Sequence, residues 1–274
     1  MGLMKFQCFS SLSEQLYQKS THFLLELVQN VDDNSYNVPT PTLNITYEHR
    51  TLRLDYNEIG FSKRNVAAIC RIGQSSKSGL NNTRRYIGEK GIGFKSVFRV
   101  SDIVWIHSGH YSFQFDKHER LGMIAPIWTE FPATTLPGFT SILLKLSDDC
   151  DVTELIQEVK SLDPRLLIFL QKLKRVNITI NENTNLPWKT SLERRDDSSG
   201  DDGQELATLY NKSIPLPYRI FRFQVKQLPP DVKRFGVTQS ELLLAFPLDG
   251  PNKQTIKSQD VYAFLPIRNY GFKV

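Results

Sequence analysis

A carboxylate, an amide and a carboxylate stand at i, i+4 and i+7 in the first periodic segment of this chain, as Glu26, Asn30 and Asp33. Apolar residues recur there at Leu12, Leu16, Leu24, Leu27, Val28 and Val31 with no Gly or Pro among them, which predicts a helix over about residues 12–31. At roughly 100° per residue the three polar side chains fall within about 60° of one another, while Leu24, Val28 and Val31 point the opposite way. Oxygen-bearing side chains backed by an apolar stripe suit a hard cation and a water, because Mg²⁺ takes oxygen ligands octahedrally and keeps several waters. Taken alone, the same three residues describe the solvated face of an amphipathic helix.

The chain after this helix narrows the fold. Asn37-Val-Pro39-Thr-Pro41 ends the helix, since proline cannot continue it and pushes its predecessor toward extended geometry. Leu43-Asn-Ile45-Thr-Tyr47 and Leu52-Arg-Leu54 alternate with period two around Glu48-His-Arg-Thr51, which predicts a hairpin. A short helix at 63–71, a polar Ser/Asn/Gly-rich loop at 73–83 and a glycine-rich turn at 88–93 follow, the turn opening a helical stretch at 94–100. Strands are expected at 103–106, 111–115, 140–146 and 176–180, with helices at 152–160 and 165–173 before the last of them. The acidic run 196–203 reads as a mobile surface loop. Strand-like patterns then occupy 218–225, 242–246 and 261–265. Phe113, Phe115, Phe221 and Phe223 lie at period two and read as core strand residues.

Composition excludes several classes. The 274 residues are 40% hydrophobic and 23% charged, which is globular, and the length suits one full domain and part of another. Cys8, Cys70 and Cys150 are odd in number and never form a CxxC pair, which argues against a disulfide scaffold or zinc ribbon. An intracellular location, cytoplasmic or nuclear, is the expectation. No apolar run approaches the roughly 20 residues of a membrane span, and the N-terminus is too polar for a secretory signal. His107 and His110 flank Ser108-Gly109 and read as a hairpin turn, since a metal pair needs further ligands.

The net charge of +5 hides a segregation. Nine bases and one acid between Phe61 and Ser101 place +8 on that stretch and −3 on the rest of the chain. An anion is expected beside it. Gly88-Glu-Lys-Gly91-Ile-Gly93-Phe94 lies inside the stretch; glycines permit close backbone approach, and a helix N-terminus favours phosphate. The string is neither a Walker A loop, lacking GK[ST], nor a Rossmann fingerprint, lacking a strand directly before it. Asp55-Tyr-Asn57-Glu58-Ile-Gly60-Phe61 directly follows the second strand of the hairpin. An acid at such a strand end can accept a hydrogen bond from a base's amino group, and Gly60 lets a ring lie against backbone.

In this order the segments resemble the GHKL ATPase superfamily of gyrase, the ninety-kilodalton heat-shock chaperones, histidine kinases and MutL. Glu26-Leu-Val-Gln-Asn30-Val-Asp-Asp33 looks like its N-box. Gly88–Gly93 with Phe94-Lys95-Ser96 looks like its second glycine box, and Thr140 of Gly138-Phe-Thr140 like its late threonine. The wording is most similar to that of sacsin and the plant NO VEIN-type proteins, over about residues 12–180.

The resemblance implies an α/β (α+β) two-layer sandwich at 10–182, a mixed, mostly antiparallel sheet with helices on one face. An acidic linker at 183–203 and the start of a β-rich transducer-like module at 204–274 would follow, the whole being a piece of a longer protein. It implies ATP and Mg²⁺ as ligands, with Glu26 the general base, Asn30 the metal ligand and Asp33 supporting the site. Gly88, Gly91, Gly93 and Phe94 would cradle the phosphates with Lys95 near them, Thr140 would sit by the adenine, and the loop carrying Ser76 and Lys77 would be a lid. The expected function is slow ATP hydrolysis coupled to lid closure in a chaperone-like protein, with ATP-dependent homodimerisation and an unspecified client. Two alternatives are a nucleotide sensor that does not hydrolyse and a MORC-type chromatin ATPase; a nucleic-acid partner is not favoured. One box departs from the family's Asp-x-Gly-x-Gly, since counting back four from Gly60 lands on Tyr56. Asp55, Asn57 and Glu58 all remain candidates to read the adenine.

Overall fold

The computed structural model describes residues 22–70, 93–182, 186–199, 204–229, 238–248, 258–263 and 265–273. Ser76, Lys77, Gly88 and Gly91 lie outside the described residues, as do the loop at 73–83 and the helix expected before His22. The chain divides into two compact units, Met1–Leu162 with Leu170–Thr190 and Asp163–Phe169 with Ser191–Val274. Each is an assembly of strands with few helices, so the fold is α+β. Among the described residues no helix is long and apolar enough to cross a membrane.

In the first unit, α1 (His22–Asp32) precedes the expected hairpin, β1 (Thr42–Glu48) and β2 (Thr51–Tyr56). Its two turn residues, His49 and Arg50, both have positive φ (44° and 57°), the hand that matches the right-handed twist of paired strands. The C-terminal end of a neighbouring strand pins this turn: Leu146 N donates to Arg50 O at 3.0 Å, and the Arg50 guanidinium donates to the Ser147 carbonyl. α2 (Lys63–Ile69) starts at a Ser62 cap that exchanges hydrogen bonds with Asn65. The stretch after the glycine turn is a 3₁₀-helix, Gly93–Arg99. β3 (Ser101–Ser108), β4 (Tyr111–Asp116), the short β5 (Ile127–Trp128), β6 (Thr140–Leu146), α3 (Val152–Lys160) and β7 (Arg175–Asn181) complete the unit.

The strand order is β7-β1-β2-β6-β3-β4-β5, a mixed sheet in which β1 and β7 run parallel and the other neighbours antiparallel. Its register sorts the side chains by parity. Leu43 opposes Tyr56 and Ile45 opposes Leu54; Ile142 and Leu144 face Leu54 and Leu52. Ile106 and Val104 continue the row, then Phe113 and Phe115, with Val176 and Ile178 on the far side. All of these are buried. One sheet face is therefore largely apolar, as period-two alternation requires, with Thr140 at its edge opposite Tyr56, and Arg53, Asp55, His107 and Ser141 fall on the other.

The second unit holds α4 (Leu166–Phe169) and an antiparallel run β8 (Trp188–Ser199), β9 (Gln204–Asn211), β10 (Ile214–Lys226) and β11 (Gln239–Pro247), with β8 entering it at Ser191. A separate hairpin pairs β12 (Ser258–Ala263) with β13 (Leu265–Lys273). In the second unit Arg194 is buried: Nε donates to Asp196 at 2.7 Å, and Nη1 to the carbonyls of Leu167 and Ile168 at 3.2 and 3.3 Å. Charge pairing of this kind explains one departure from expectation. The acidic run read as a loop is strand as far as Ser199, with Asp196 on Arg194 and Asp197 accepting from Thr208 at 2.6 Å. Phe223 departs too. Phe113 and Phe115 are fully buried, but Phe223 is 49% exposed and stacks on Phe221 at 6.4 Å between centroids.

Leu54 is fully buried at the centre of the apolar face, between β1 and β6. Leu54→Ala should cost about 2–5 kcal/mol of unfolding free energy, measured by denaturant titration.

Candidate functional site

α1 forms because Phe23, Leu24, Leu27, Val28 and Val31 bury one stripe, and it packs against the 3₁₀-helix. Asp32 lies four residues beyond Val28, on the buried side, and is fully enclosed. Its carboxylate accepts three backbone N–H groups, from Gln171 at 2.8 Å to Oδ2 and from Lys172 and Leu173 at 2.8 Å each to Oδ1. Burial pushes this carboxyl above its ordinary value, and the three donors pull it back. The same turn caps the helix: Lys172 Nζ donates to the carbonyls of Asp33 and Asn34, and Tyr36 Oη to that of Val31 at 2.6 Å. A cation just past the helix C-terminus complements the negative dipole end, and Val31 O, which also accepts from Asn34 N at 3.2 Å, gains a second donor. The helix expected at 165–173 is reduced to Leu166–Phe169, since the next N–H groups serve Asp32 instead.

Glu26 and Asn30 are half-buried on the stripe, and Asp33 is buried just past the helix. Asn30 carries a buried Nδ2 without a hydrogen-bond partner among the described residues. Asparagine O and N exchange places by a half-turn of the amide, so this position can present either atom.

The strand-end turn distributes its acids differently from their sequence neighbourhood. Asp55 falls on the polar sheet face, where Arg53 Nε donates to both its oxygens at 2.9 and 2.8 Å and Ser141 Oγ donates at 2.5 Å. Arg53 also reaches the Thr134 carbonyl at 2.9 Å and lies 5.6 Å over the Phe131 ring. Asn57 spends its amide on the backbone, accepting from Thr42 N at 2.7 Å and donating to Thr40 O at 3.1 Å. Glu58 is buried, and its Oε1 accepts from Thr140 Oγ1 at 2.6 Å. Ser108 Oγ lies 2.5 Å from Thr140 Oγ1 and accepts from Phe61 N at 2.8 Å, beside Gly60 at φ +93°. Thr140, Ser108 and Glu58 thus meet near Tyr56, whose phenol is pushed well up by burial and by the Glu58 charge. Asp55 cannot join them: Thr140 opposes Tyr56, one residue along the strand, so the two sit on opposite sheet faces.

Lys95 Nζ lies 4.3 Å from the Phe115 centroid, 5.4 Å from Phe94 and 5.9 Å from Phe98, and donates to the Met123 carbonyl. Burial pushes its ammonium down to about 8. Gly93 begins the 3₁₀-helix. Among the described residues no group of three or more His, Cys, Asp and Glu could hold a metal ion. Two residues escaped the sequence reading, Asp32 and Ser108. The signal for Asp32 was a charge at i+4 from Val28 on the apolar side; a lone serine at a strand end gives none.

No protein-family model matches the chain. The chain is similar to Protein NO VEIN of Arabidopsis thaliana, 33% identical over 290 aligned residues that cover 96% of this chain and 10% of that protein. The NO VEIN-like relationship expected from the motif wording therefore holds at the level of sequence. The chain spans about a tenth of the length of that relative.

Asp32→Ala would leave three backbone N–H groups without their acceptor, the buried one of Leu173 among them, so a loss of about 1–3 kcal/mol is expected in denaturant unfolding. Lys95 should acetylate with a pH midpoint near 8, not the ordinary 10.5, because its neutral, nucleophilic form appears at lower pH. Peptide mass spectrometry across a pH series reads this directly.

Proposed function

We propose that the first unit binds ATP with Mg²⁺ and hydrolyses it slowly, with α1 and the end of β2 forming the two sides of one site. The observation that carries this reading is the buried Thr140–Glu58 hydrogen bond at 2.6 Å. Glu58 stands two residues before Gly60, the spacing of acid and first glycine in the Asp-x-Gly-x-Gly box that the sequence resembles. Gly60 is then the first glycine of that box rather than the second, and Ser62 stands where the second would be. Asn57 and Asp55 have other employment, in the backbone at Thr40 and Thr42 and in the ion pair with Arg53. Glu58 is the residue that reads the adenine amino group, with Thr140 beside it.

Asn30 fits the metal on its own chemistry. An amide half-turned from its present orientation offers a buried oxygen, and Mg²⁺ binds through one or two protein oxygens together with substrate phosphates. Bound there, the ion would offset phosphate charge. Glu26, one turn earlier on the same stripe, orients a water and takes its proton as the water oxygen attacks the γ-phosphorus, leaving ADP and phosphate. Asp33 supports that end of the stripe. The basic stretch of nine cations, with Gly93, Phe94 and the glycines before them, lies along the triphosphate in this reading, and the segment with Ser76 and Lys77 covers it. A two-layer sandwich with helices on one face is the layout that goes with it. Coupling to lid closure, homodimerisation and work on a client in a longer, chaperone-like protein belong to the same proposal.

Glu26→Ala should lower single-turnover ATP hydrolysis by at least about 100-fold with nucleotide affinity kept. Unchanged turnover would overturn the assigned base. Glu58→Ala should weaken ATP binding by about tenfold or more, a factor corresponding to about 1.4 kcal/mol.

A further inference from the structure

We propose that β11 is a docking edge for a second copy of this chain, the two β11 strands pairing antiparallel about a twofold axis at Leu243. The inference goes beyond the nucleotide reading, lies wholly in the second unit and needs no nucleotide.

The strand is an end of its sheet. β11 (Gln239–Pro247) pairs with β10 in an unbroken register, and among the described residues no strand lies on its other side. Leu248 N donates to Pro217 O at 2.9 Å, which makes that pair a hydrogen-bonded one. Antiparallel ladders alternate, so Phe246, Leu244, Leu242 and Ser240 turn their main-chain groups toward β10. Ala245, Leu243, Glu241 and Gln239 turn theirs outward. Such a row is a template for a further strand, and chains ordinarily guard it with lysines, prolines or bulges. β11 has no lysine, no bulge and its proline only at the last residue. Its one charge, Glu241, is set against Arg222 at 3.6 Å.

The sheet face that runs out to this edge is apolar. Register puts Phe221 and Phe223 of β10 on one face with Leu244 and Leu242 of β11, and Val225 and Phe246 extend it. Leu242 is 47% exposed and Leu244 40%, beside the exposed Phe223. The opposite face is the covered one, where Tyr218, Ile220, Ala207 and Leu209 are buried with Arg194. α4, whose carbonyls accept from Arg194, lies against β13, so the second hairpin meets the unit on that buried side.

Self-complementarity singles out a second copy. When two β11 strands overlap along their whole length, Leu243 faces its own copy, and each turns an N–H and a carbonyl to the other. Leu242 then faces the partner's Leu244, which joins the two exposed apolar faces into one, and cross-strand apolar pairs stabilise a sheet. Glu241 faces the partner's Ala245, so the carboxylates stay apart. Gln239 faces the partner's Pro247, whose missing N–H ends the ladder. Sliding the overlap until Glu241 faces itself would set like charges opposite each other.

Sedimentation velocity of the whole 274-residue chain without nucleotide, over a concentration series, tests this. A dimer is expected. Leu242→Lys together with Leu244→Lys sets lysine against lysine twice and should weaken dimerisation at least about tenfold. Leu242→Lys together with Leu244→Glu sets each new lysine opposite a new glutamate and should recover the dimer. Circular dichroism checks that each variant is folded. If the double-lysine chain does not fold, Leu243→Pro, which removes only an outward N–H, carries the comparison with the same expected loss. A wild-type chain that stays monomeric overturns the inference. So does a dimer as strong in the double-lysine chain or in Leu243→Pro as in wild type, or one that the lysine–glutamate chain fails to recover. A dimer that forms only with ATP overturns this surface and leaves the nucleotide reading standing.

Discussion

The carboxylate of Asp32, enclosed and holding three backbone N–H groups of residues 171–173, is the interaction on which the arrangement of the first unit depends. The described part of α1 is 11 residues long, a length at which a helix in water is marginal without tertiary support. Asp32 supplies that support at the C-terminal end, where Lys172 holds the carbonyls of Asp33 and Asn34 just past the helix and Tyr36 that of Val31. Because the captured turn leads straight into β7, and β7 pairs with β1, the helix is referenced to the sheet by a short path. Glu26, Asn30 and Asp33 acquire defined positions through a neighbour that performs no chemistry. A buried carboxylate so satisfied is costly to break.

Period and parity made much of the sheet legible. The hairpin 43–54 alternates cleanly, and the structure places both strands there with the expected turn residues at positive φ. The strands at 103–106, 111–115, 140–146 and 176–180 lie inside observed strands for the same reason: β-branched and aromatic residues at every second position. The failures have local causes. The apolar run from Leu166 to Leu170 looked long enough for a helix through 173, yet periodicity does not reveal that a distant aspartate will claim the following amides. The acidic run to Ser199 looked unfavourable as a strand because its charges were counted without their partner Arg194. Phe223 shares its spacing with Phe113 and Phe115, and spacing alone does not tell which face of which strand is covered.

For the site, the reading was sharpest where one element carries the residues and weakest where two must meet. The stripe on α1 followed from helical geometry alone. The acid proposed to read the base did not, because three acids or amides crowd a four-residue turn. Part of the answer was nonetheless present in the chain: Leu52, Leu54 and Tyr56 declare one face, so Asp55 belongs to the other and cannot reach the partner of Tyr56, Thr140. Glu58 lies beyond the strand, where parity no longer applies, and only the folded turn at Gly60 brings it back. Likewise Lys95 was expected among phosphates, and the structure rests its ammonium on three phenylalanine rings and a carbonyl, a half-buried setting that lowers its proton affinity.

In the proposed site the helix supplies a carboxylate and an amide, and the strand end supplies the buried carboxylate of Glu58. Similarity to a long plant protein places the chain in a wider context without assigning it chemistry, so the burden falls on ligand binding. The most direct measurement is calorimetric titration of the whole chain with ATP in the presence and absence of Mg²⁺. The account predicts saturable, one-site binding that tightens with Mg²⁺ and loses that increment in Asn30→Ala. Absence of heat and of competition by ADP under both conditions, in a chain shown to be folded, would contradict it.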